Sequence, residues 1–204
     1  MDTATIQFQA AAFRDTLTLP GRTQAPVTLS PGTIPPRPTA SRPLPRPLTS
    51  LVGRERECAE IRVSLQSARL LTLTGAAGVG KTRLAIAAAG EIAQDYPDGV
   101  WFVELAPLIE GAAVLPAIAS TLGVKVAPGR TLEETLAEHL LDRSLLLVLD
   151  NCEHLLEACA KSAHGLLSSC PRLHILATSR QPLRVLGECI QRVPPQGLPL
   201  SLPA

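Results

Sequence analysis

This chain of 204 residues contains few aromatic residues and has a net charge close to zero. Phe, Trp and Tyr together make up 2% of the sequence, and the formal net charge at pH 7 is +1. Proteins that hold single-stranded nucleic acid use aromatic side chains on which the bases stack. Proteins that bind duplex phosphates or anionic lipid use a basic surface. The composition therefore argues against direct nucleic-acid binding by this chain and gives no electrostatic reason to expect membrane binding.

The sequence also lacks the marks of secreted and membrane proteins. No apolar run is long enough to span a bilayer, and no basic segment precedes an apolar core at the N-terminus, as it would in a secretory signal. The five cysteines are odd in number and contain no C-x-x-C pair. This pattern favours buried free thiols in a reducing compartment over disulfides or a metal site. We therefore expect a cytoplasmic protein.

Proline is concentrated near the N-terminus. Nine of the 19 prolines lie in residues 1–50, where five Arg and two Asp give a net charge of +3. A stretch of this composition buries too little apolar surface to offset the entropy lost on ordering. We predict that residues 1–47 form a disordered Pro/Arg-rich linker and that residues 196–204 form a flexible tail. A recognition role for Pro35–Pro38 is the alternative to a spacer.

From Leu51 onward, strand patterns alternate with helix patterns. Strands are predicted at Leu70–Thr74, Gly99–Glu104, Leu145–Leu149, Leu173–Ala177 and Glu188–Val193. Helices are predicted at Glu55–Gln66, Lys81–Gln94, Ala112–Leu122, Thr131–Leu141 and Glu153–Ser169, the fourth beginning with a capping box. This alternation predicts an α/β domain over residues 48–195, a doubly wound parallel sheet of about five strands flanked by helices. Ligands of such sheets bind at the carboxyl ends of the strands.

The first strand leads directly into a phosphate-binding motif. The segment matches the P-loop pattern G-x-x-x-x-G-K-[ST] and consists of Gly75, Ala76, Ala77, Gly78, Val79, Gly80, Lys81 and Thr82. Its glycines let backbone N–H groups point at phosphate oxygens, and Lys81 places a positive charge against the β- and γ-phosphates. The Thr82 hydroxyl is a Mg²⁺ ligand, and Arg83 completes the predicted nucleotide-binding set. The glycine spacing does not fit the G-x-G-x-x-G pattern of dinucleotide-binding loops. The motif predicts a P-loop NTPase fold.

Two carboxylates follow the third strand. Asp150 closes an apolar run, as a Mg²⁺-contacting residue of a P-loop site does, although it could instead cap the next helix. Hydrolysis also needs a group that deprotonates or orients water, and Asn151 cannot act as a general base at neutral pH. Glu153 is the candidate for that catalytic role, with a favourable charge in the first turn of a helix as its alternative.

Arg180 follows the fourth strand in the segment Thr178-Ser179-Arg180. An arginine at the carboxyl end of this strand can reach the γ-phosphate and report whether it is present. The alternative is a solvated arginine with no contact to a ligand. We therefore count Arg180, with Asp150 and Glu153, among the candidate catalytic residues.

Taken together, these residues resemble the STAND class of signal-transduction ATPases. More narrowly, the chain is similar to the NB-ARC-like nucleotide-binding domain of LuxR- and AfsR/SARP-type bacterial transcriptional regulators. The segments that carry the resemblance are Leu48–Glu55, Leu71–Gly75, Leu147–Leu156 and Ala177–Arg180, and it extends over about residues 48–195.

The resemblance has implications for the site and for the rest of the chain. It implies that Val52, Gly53 and Arg54 contact the adenine and that Arg180 is a phosphate sensor. An Asp-Asn pair is usual in this branch. Family members continue into helical, winged-helix and repeat sensor regions, and many carry a DNA-binding domain. Here the chain stops at Ala204 without a helix-turn-helix pattern, so we expect an apparently truncated nucleotide module.

The resulting prediction is an ATP/ADP-binding regulatory switch domain that requires Mg²⁺ and hydrolyses ATP slowly or not at all. Its expected partners are an adenine nucleotide and either the remainder of a larger regulator or further copies of itself. A small-molecule or nucleotide kinase is one alternative, but the arginine-rich lid and acceptor pocket of a kinase are not recognisable between Val103 and Arg143. A truncated scaffold that binds no nucleotide is the other.

Overall fold

Short apolar strands alternate with helices and build one parallel sheet with helices on both faces. The computed structural model describes residues 44–45 and 51–195. The strands are β1 (Leu70–Thr74), β2 (Val100–Glu104), β3 (Leu145–Asp150), β4 (Leu173–Ser179) and β5 (Glu188–Arg192). The α-helices are α1 (Glu55–Ser67), α2 (Lys81–Glu91), α3 (Val114–Leu122), α4 (Leu132–Leu140) and α5 (Leu156–Ser169). The predicted fold class, a P-loop NTPase with a five-stranded parallel sheet, is confirmed.

The order of the strands in the sheet determines which loops meet. The order is β2-β3-β4-β1-β5, and all four neighbouring pairs are parallel. In the register, Thr74 of β1 is paired with Ser179 of β4 on one side and with Arg192 of β5 on the other. Strand β4 therefore lies between β1 and β3, and the carboxyl ends of these three strands form one continuous edge.

Helices cover both faces of the sheet. Residues of β3 are buried along its full length, and alternate side chains enter different cores. Leu145, Leu147 and Leu149 pack in a cluster with apolar residues of α3, α4 and α5. Leu146 and Val148 pack in a second cluster with apolar residues of α1 and α2. The continuous apolar pattern of this strand is explained by two-sided burial.

Several helix boundaries differ from the sequence-based prediction. The helix predicted to reach Gln94 ends at Glu91, and a 3₁₀ turn follows at Ala93–Asp95. The helix predicted from Glu153 begins at Leu156, because the left-handed Asn151 (φ 66°) turns the chain into a separate 3₁₀ turn at Cys152–His154. A 3₁₀ turn at Gly111–Ala113 precedes α3, whose third residue is the tolerated Pro116.

Three further predictions can be compared with the structure. The capping box at the start of α4 is confirmed, with Thr131 and Glu134 satisfying each other's backbone N–H groups. All five cysteines are free thiols, and four of them are buried, whereas Cys189 is half-buried. Leu44 packs against the cluster on the α1 and α2 face. Pro45 is exposed, whereas residues 1–43 and 46–47 of the predicted linker and the predicted tail lie outside the described residues. In the described part of the chain, every helix is too short or too polar to cross a bilayer.

Candidate functional site

The P-loop connects β1 to α2 and borders open space. Gly78 (φ +79°) and Gly80 (φ +91°) adopt left-handed conformations that glycine accommodates without strain. A Cβ atom built on either residue would meet no atom within 4 Å. Gly75 is different, because its Cβ would lie 2.8 Å from the carbonyl oxygen of Val193. The loop therefore has an open side that can accept a ligand and an inner side packed against the end of β5.

Lys81 is the first residue of α2 and is 8% exposed. Its Nζ donates hydrogen bonds to the carbonyl oxygens of Gly75 and Ala76, both at 3.0 Å. The ammonium group is thereby held within the loop, beside the positive end of the α2 dipole. Positive charge and backbone N–H groups at a helix N-terminus favour an anion such as phosphate.

A buried carboxylate lies at the end of β3, next to the P-loop. Asp150 is 7% exposed, and its Oδ1 accepts hydrogen bonds from two threonine hydroxyls. Thr82 of α2 donates at 2.7 Å and Thr178 of β4 donates at 2.6 Å. The Thr178 hydroxyl also accepts a hydrogen bond from the backbone N–H of Asn151 at 2.9 Å. Charge-assisted hydrogen bonds of this kind offset part of the cost of burying the carboxylate.

These residues fit a Mg²⁺–nucleotide complex. Mg²⁺ prefers oxygen ligands, and proteins bind it through one or two carboxylates together with the phosphates of the nucleotide. The hydroxyl of Thr82 donates its proton to Asp150 and so keeps an oxygen lone pair for a cation. The structure thus brings together Thr82 and Asp150, the two predicted metal-contacting residues, beside the predicted phosphate loop.

Glu153 and Arg180 form a separate pair. Arg180 is 62% exposed, and its Nε donates to Glu153 Oε1 at 3.1 Å. The second carboxylate oxygen of Glu153, Oε2, is buried without a hydrogen-bond partner among the described residues. A buried oxygen of this kind marks a place where a water molecule or ligand donor would be stabilised. The catalytic roles assigned to the two residues from sequence stay predictions.

The side chain of Asn151 contacts His154. Its side-chain Nδ2 lies 3.3 Å from His154 Nδ1, and His154 Nε2 lies 2.9 Å from the carbonyl oxygen of Leu108. Because a carbonyl only accepts, Nε2 is the protonated nitrogen and Nδ1 accepts from the amide. This chain of contacts links the end of β3 to the loop that follows β2.

Cys152 is a buried residue of the core. A hydrogen bond to Cys159, together with burial, raises the pKa of the Cys152 thiol well above its ordinary value. The thiolate is the nucleophilic form of cysteine, so a thiol with a raised pKa is inert. This agrees with the sequence-based prediction of buried free thiols.

The segment preceding α1 reaches the P-loop through one side chain. Val52 and Gly53 are exposed, whereas Arg54 is only 4% exposed. The Arg54 guanidinium donates to Glu57 Oε1 at 2.7 Å through Nη1. Its Nη2 donates to the carbonyl oxygens of Val79, at 3.3 Å, and Pro194, at 2.8 Å. The adenine contacts predicted for Val52, Gly53 and Arg54 stay predictions, as does the role of Arg83, which is exposed on α2.

Sequence reasoning did not assign two residues of this arrangement. Thr178 lies in the segment Thr178-Ser179-Arg180, in which only Arg180 was predicted to act in the site. The polar side chain of Thr178 near the end of β4 was the signal that could have identified it. The contact between Arg54 and Pro194 joins residues 140 positions apart in sequence. No local pattern identifies it.

A comparison with known families places this site in context. A family model described as an AAA domain matches residues 63–186, which is more than half of the chain. The chain belongs to the AAA domain family. The matched range of this AAA domain includes the P-loop, Asp150 and Arg180, whereas Val52–Arg54 and β5 lie outside it. The P-loop ATPase part of the resemblance is therefore confirmed, and the narrower NB-ARC-like assignment is taken up below as a proposal.

Longer mycobacterial proteins contain a similar region. The chain is 44% identical over 153 residues to an uncharacterized protein of Mycobacterium tuberculosis, a match that covers 75% of this chain and 39% of that protein. It is 48% identical over 134 residues to a protein of the same organism named as a candidate HTH-type transcriptional regulator. That match covers 66% of this chain and 15% of the regulator. The chain thus spans well under half the length of these relatives.

Among solved structures, the Cdc6p protein of Pyrobaculum aerophilum has the same fold. It matches with a TM-score of 0.51 and 19% sequence identity, over 76% of this chain and 47% of that chain. At this identity the likeness concerns the fold alone.

Proposed function

We propose that this AAA domain binds ATP or ADP with Mg²⁺ and acts as a regulatory switch with slow or absent hydrolysis. The observation that carries the proposal is the contact between Thr82 and Asp150, at 2.7 Å, which joins the P-loop helix to the end of β3. A phosphate-binding loop alone accepts many anions. A hydroxyl and a buried carboxylate beside it supply the oxygen ligands that a nucleotide-bound Mg²⁺ requires.

Each residue of the site has a distinct role in binding. The N–H groups of the P-loop and the Lys81 ammonium would hold the phosphates, and Thr82 with Asp150 would hold the metal ion. The bound Mg²⁺ supplies positive charge against the phosphate oxygens. Val52 and Gly53, which are exposed before α1, would contact the adenine, in keeping with the NB-ARC-like resemblance, whereas the buried Arg54 guanidinium donates to oxygens of the protein.

The expectation of slow turnover follows from the state of the candidate bases. One carboxylate oxygen of Glu153 accepts a hydrogen bond from Arg180. The side-chain amide of Asn151 contacts His154, and an amide is not a base at neutral pH. A general base must lie within hydrogen-bond reach of the attacking water. The Nε of Arg180 makes the bond to Glu153, and the exposed guanidinium has further N–H donors that could contact a γ-phosphate, which suits a residue that senses the nucleotide.

The similarity to longer proteins supports a role within a larger regulator. One relative is named as a candidate HTH-type transcriptional regulator, and the region shared with this chain is 15% of its length. We therefore propose that the partner of the nucleotide module is the remainder of such a regulator or further copies of the module. A STAND-type, NB-ARC-like mechanism is the narrower form of this proposal.

Equilibrium binding tests the proposal. Isothermal titration of the chain with MgATP and MgADP should give saturable 1:1 binding that EDTA weakens. Lys81→Ala should lower the affinity by about tenfold or more, equivalent to about 1.4 kcal/mol. Lys125→Ala, which removes the charge of an exposed lysine outside the site, is the matched control and should bind as the wild type does. Equal affinities for the two variants would refute the proposal.

Two further measurements separate the alternatives. A nucleotide at 100 times its Kd stabilises the folded state by about 2.7 kcal/mol and should raise the melting temperature by about 5–10 °C. No rise at millimolar nucleotide would favour a scaffold that binds nothing. Release of phosphate to water should be slow, whereas rapid transfer to an added small-molecule acceptor would favour a kinase.

A further inference from the structure

A buried arginine joins the P-loop to the segment that leaves the domain. The exit segment is defined here as Val193–Pro195, the residues that follow β5. Arg54 is 4% exposed, and a guanidinium in such a position must satisfy its N–H groups within the protein. A single nitrogen, Nη2, donates both to Val79 O within the P-loop and to Pro194 O in the exit segment. The two carbonyls are therefore held by one planar group.

The guanidinium is fixed from a third side. Its Nη1 donates to Glu57 Oε1 at 2.7 Å, and Glu57 is part of the first turn of α1. The rigid fork of a guanidinium allows these contacts to be made at once with defined geometry. Movement of Val79 or Pro194 relative to α1 must then break at least one of the contacts.

A second set of contacts ties the same two segments together. The backbone N–H of Val193 donates to the carbonyl oxygen of Thr74 at 2.7 Å, immediately before the P-loop. Gly75 lies so close to Val193 that a Cβ atom would stand 2.8 Å from its carbonyl oxygen. The exit segment thus contacts the start of the P-loop at Gly75 and, through Arg54, its later part at Val79.

We propose that Arg54 is a positioning residue that couples occupancy of the P-loop to the conformation of the exit segment. This inference rests on the proposed function, since it requires a nucleotide at the P-loop. Phosphate binding draws on the N–H groups of the loop, and any accompanying rotation of the Val79 peptide changes the direction of its carbonyl. Arg54 transmits that change to Pro194, and so to the chain that follows the domain. The role is distinct from the adenine contact predicted from sequence.

The Val193 amide is a suitable reporter. Pro194 and Pro195 have no backbone N–H, so amide exchange in the exit segment is measured at Val193, whose N–H is bonded to Thr74. Nucleotide binding slows exchange at all amides through global stabilisation, so in the wild type MgADP should slow exchange at Val193, observed by NMR of labelled protein, by about fivefold or more relative to the core amide of Leu146. Arg54→Lys and Arg54→Gln, each measured at a MgADP concentration that saturates that variant in a titration, should remove this difference between Val193 and Leu146. Arg56→Lys, an exposed substitution on α1, should behave as the wild type does.

The outcomes distinguish this inference from the proposed function. If the wild type binds no MgADP, both are overturned. If it binds MgADP without any change at Val193, only the coupling is overturned, and this result needs no variant. Arg54 variants that bind MgADP and still protect Val193 would also overturn it. Loss of MgADP binding in both variants would assign Arg54 to the nucleotide site itself and would contradict a positioning role.

Discussion

Thr178 offers the sharpest test of how the site is built. Its hydroxyl donates to Asp150 Oδ1 at 2.6 Å and accepts from the Asn151 N–H at 2.9 Å, and the residue is 1% exposed. Thr178→Val keeps the shape but removes both hydrogen bonds. A hydrogen bond to a charged group contributes about 1.5–3 kcal/mol, and an unpaired N–H costs about 1–3 kcal/mol. Because the two effects share one hydroxyl and are not additive, we expect a loss of about 3 kcal/mol.

Thr178→Ser is the matched control. It keeps the hydroxyl and removes one buried methyl group, which costs about 1 kcal/mol. Urea unfolding can be followed through the fluorescence of Trp101, the one tryptophan of the chain, which is 4% exposed on β2. The melting temperature of the valine variant should fall by about 6–12 °C.

The valine variant should also lose more of its Mg²⁺-dependent nucleotide affinity than the serine variant, because Asp150 is no longer held by β4. Titrations with and without EDTA measure this loss. If the two variants unfold at the same urea concentration and bind MgADP equally, the reasoning about the Asp150 cluster is wrong.

Three further predictions concern the loop, the sensor and pH. Gly78→Ala and Gly129→Ala both place a Cβ at positive φ in open space and should each cost about 1–2 kcal/mol of stability, but only Gly78→Ala should weaken MgADP binding in a titration. Arg180→Gln should change the free energy of unfolding by less than about 1 kcal/mol, because its ion pair is exposed. The same variant should show a smaller difference in affinity between ATP and ADP. Arg62→Gln removes another exposed ion pair and should leave that difference intact. Burial lowers the pKa of His174, so below the pKa of the unfolded state the unfolded chain binds more protons than the folded one. The free energy of unfolding, measured in urea, should therefore fall as the pH is lowered through about 6.5. In His174→Gln it should fall less steeply. Unequal stability losses at the two glycines, an unchanged ATP/ADP preference or identical pH slopes would contradict the respective predictions.

Local sequence patterns were sufficient to predict the helices and strands and to identify Thr82 and Asp150 as residues of the site. The apolar run of β3 and the capping box at Thr131 depend on neighbours in sequence, and both were predicted. The placement of Asp150 beside Thr82 was expected because both follow the carboxyl ends of parallel strands. The structure confirms that these two side chains meet.

The remaining contacts depend on the order of strands, which the sequence does not reveal. Strand β4 lies between β1 and β3, and this insertion is what brings the Thr178 hydroxyl to Asp150. The contact between Arg54 and Pro194 likewise depends on the pairing of β5 with β1, because this pairing places Pro194 beside the P-loop. The start of α5 was misplaced because the left-handed conformation of Asn151 is a property of one residue and leaves no periodic signal.

Strand β1 lies between the strand that carries Thr178 of the candidate metal site and the strand that leads into the exit segment. On one side, Thr178 near the end of β4 donates to Asp150, the carboxylate proposed to bind Mg²⁺. On the other side, β5 ends at the segment that Arg54 holds against the P-loop. In the function proposed here, substitutions on the β4 side would alter the metal site and any hydrolysis without changing the contacts that Arg54 makes with Val79 and Pro194. The proposal therefore allows a domain with this strand order to lose turnover during evolution and still couple nucleotide binding to the segment that follows β5.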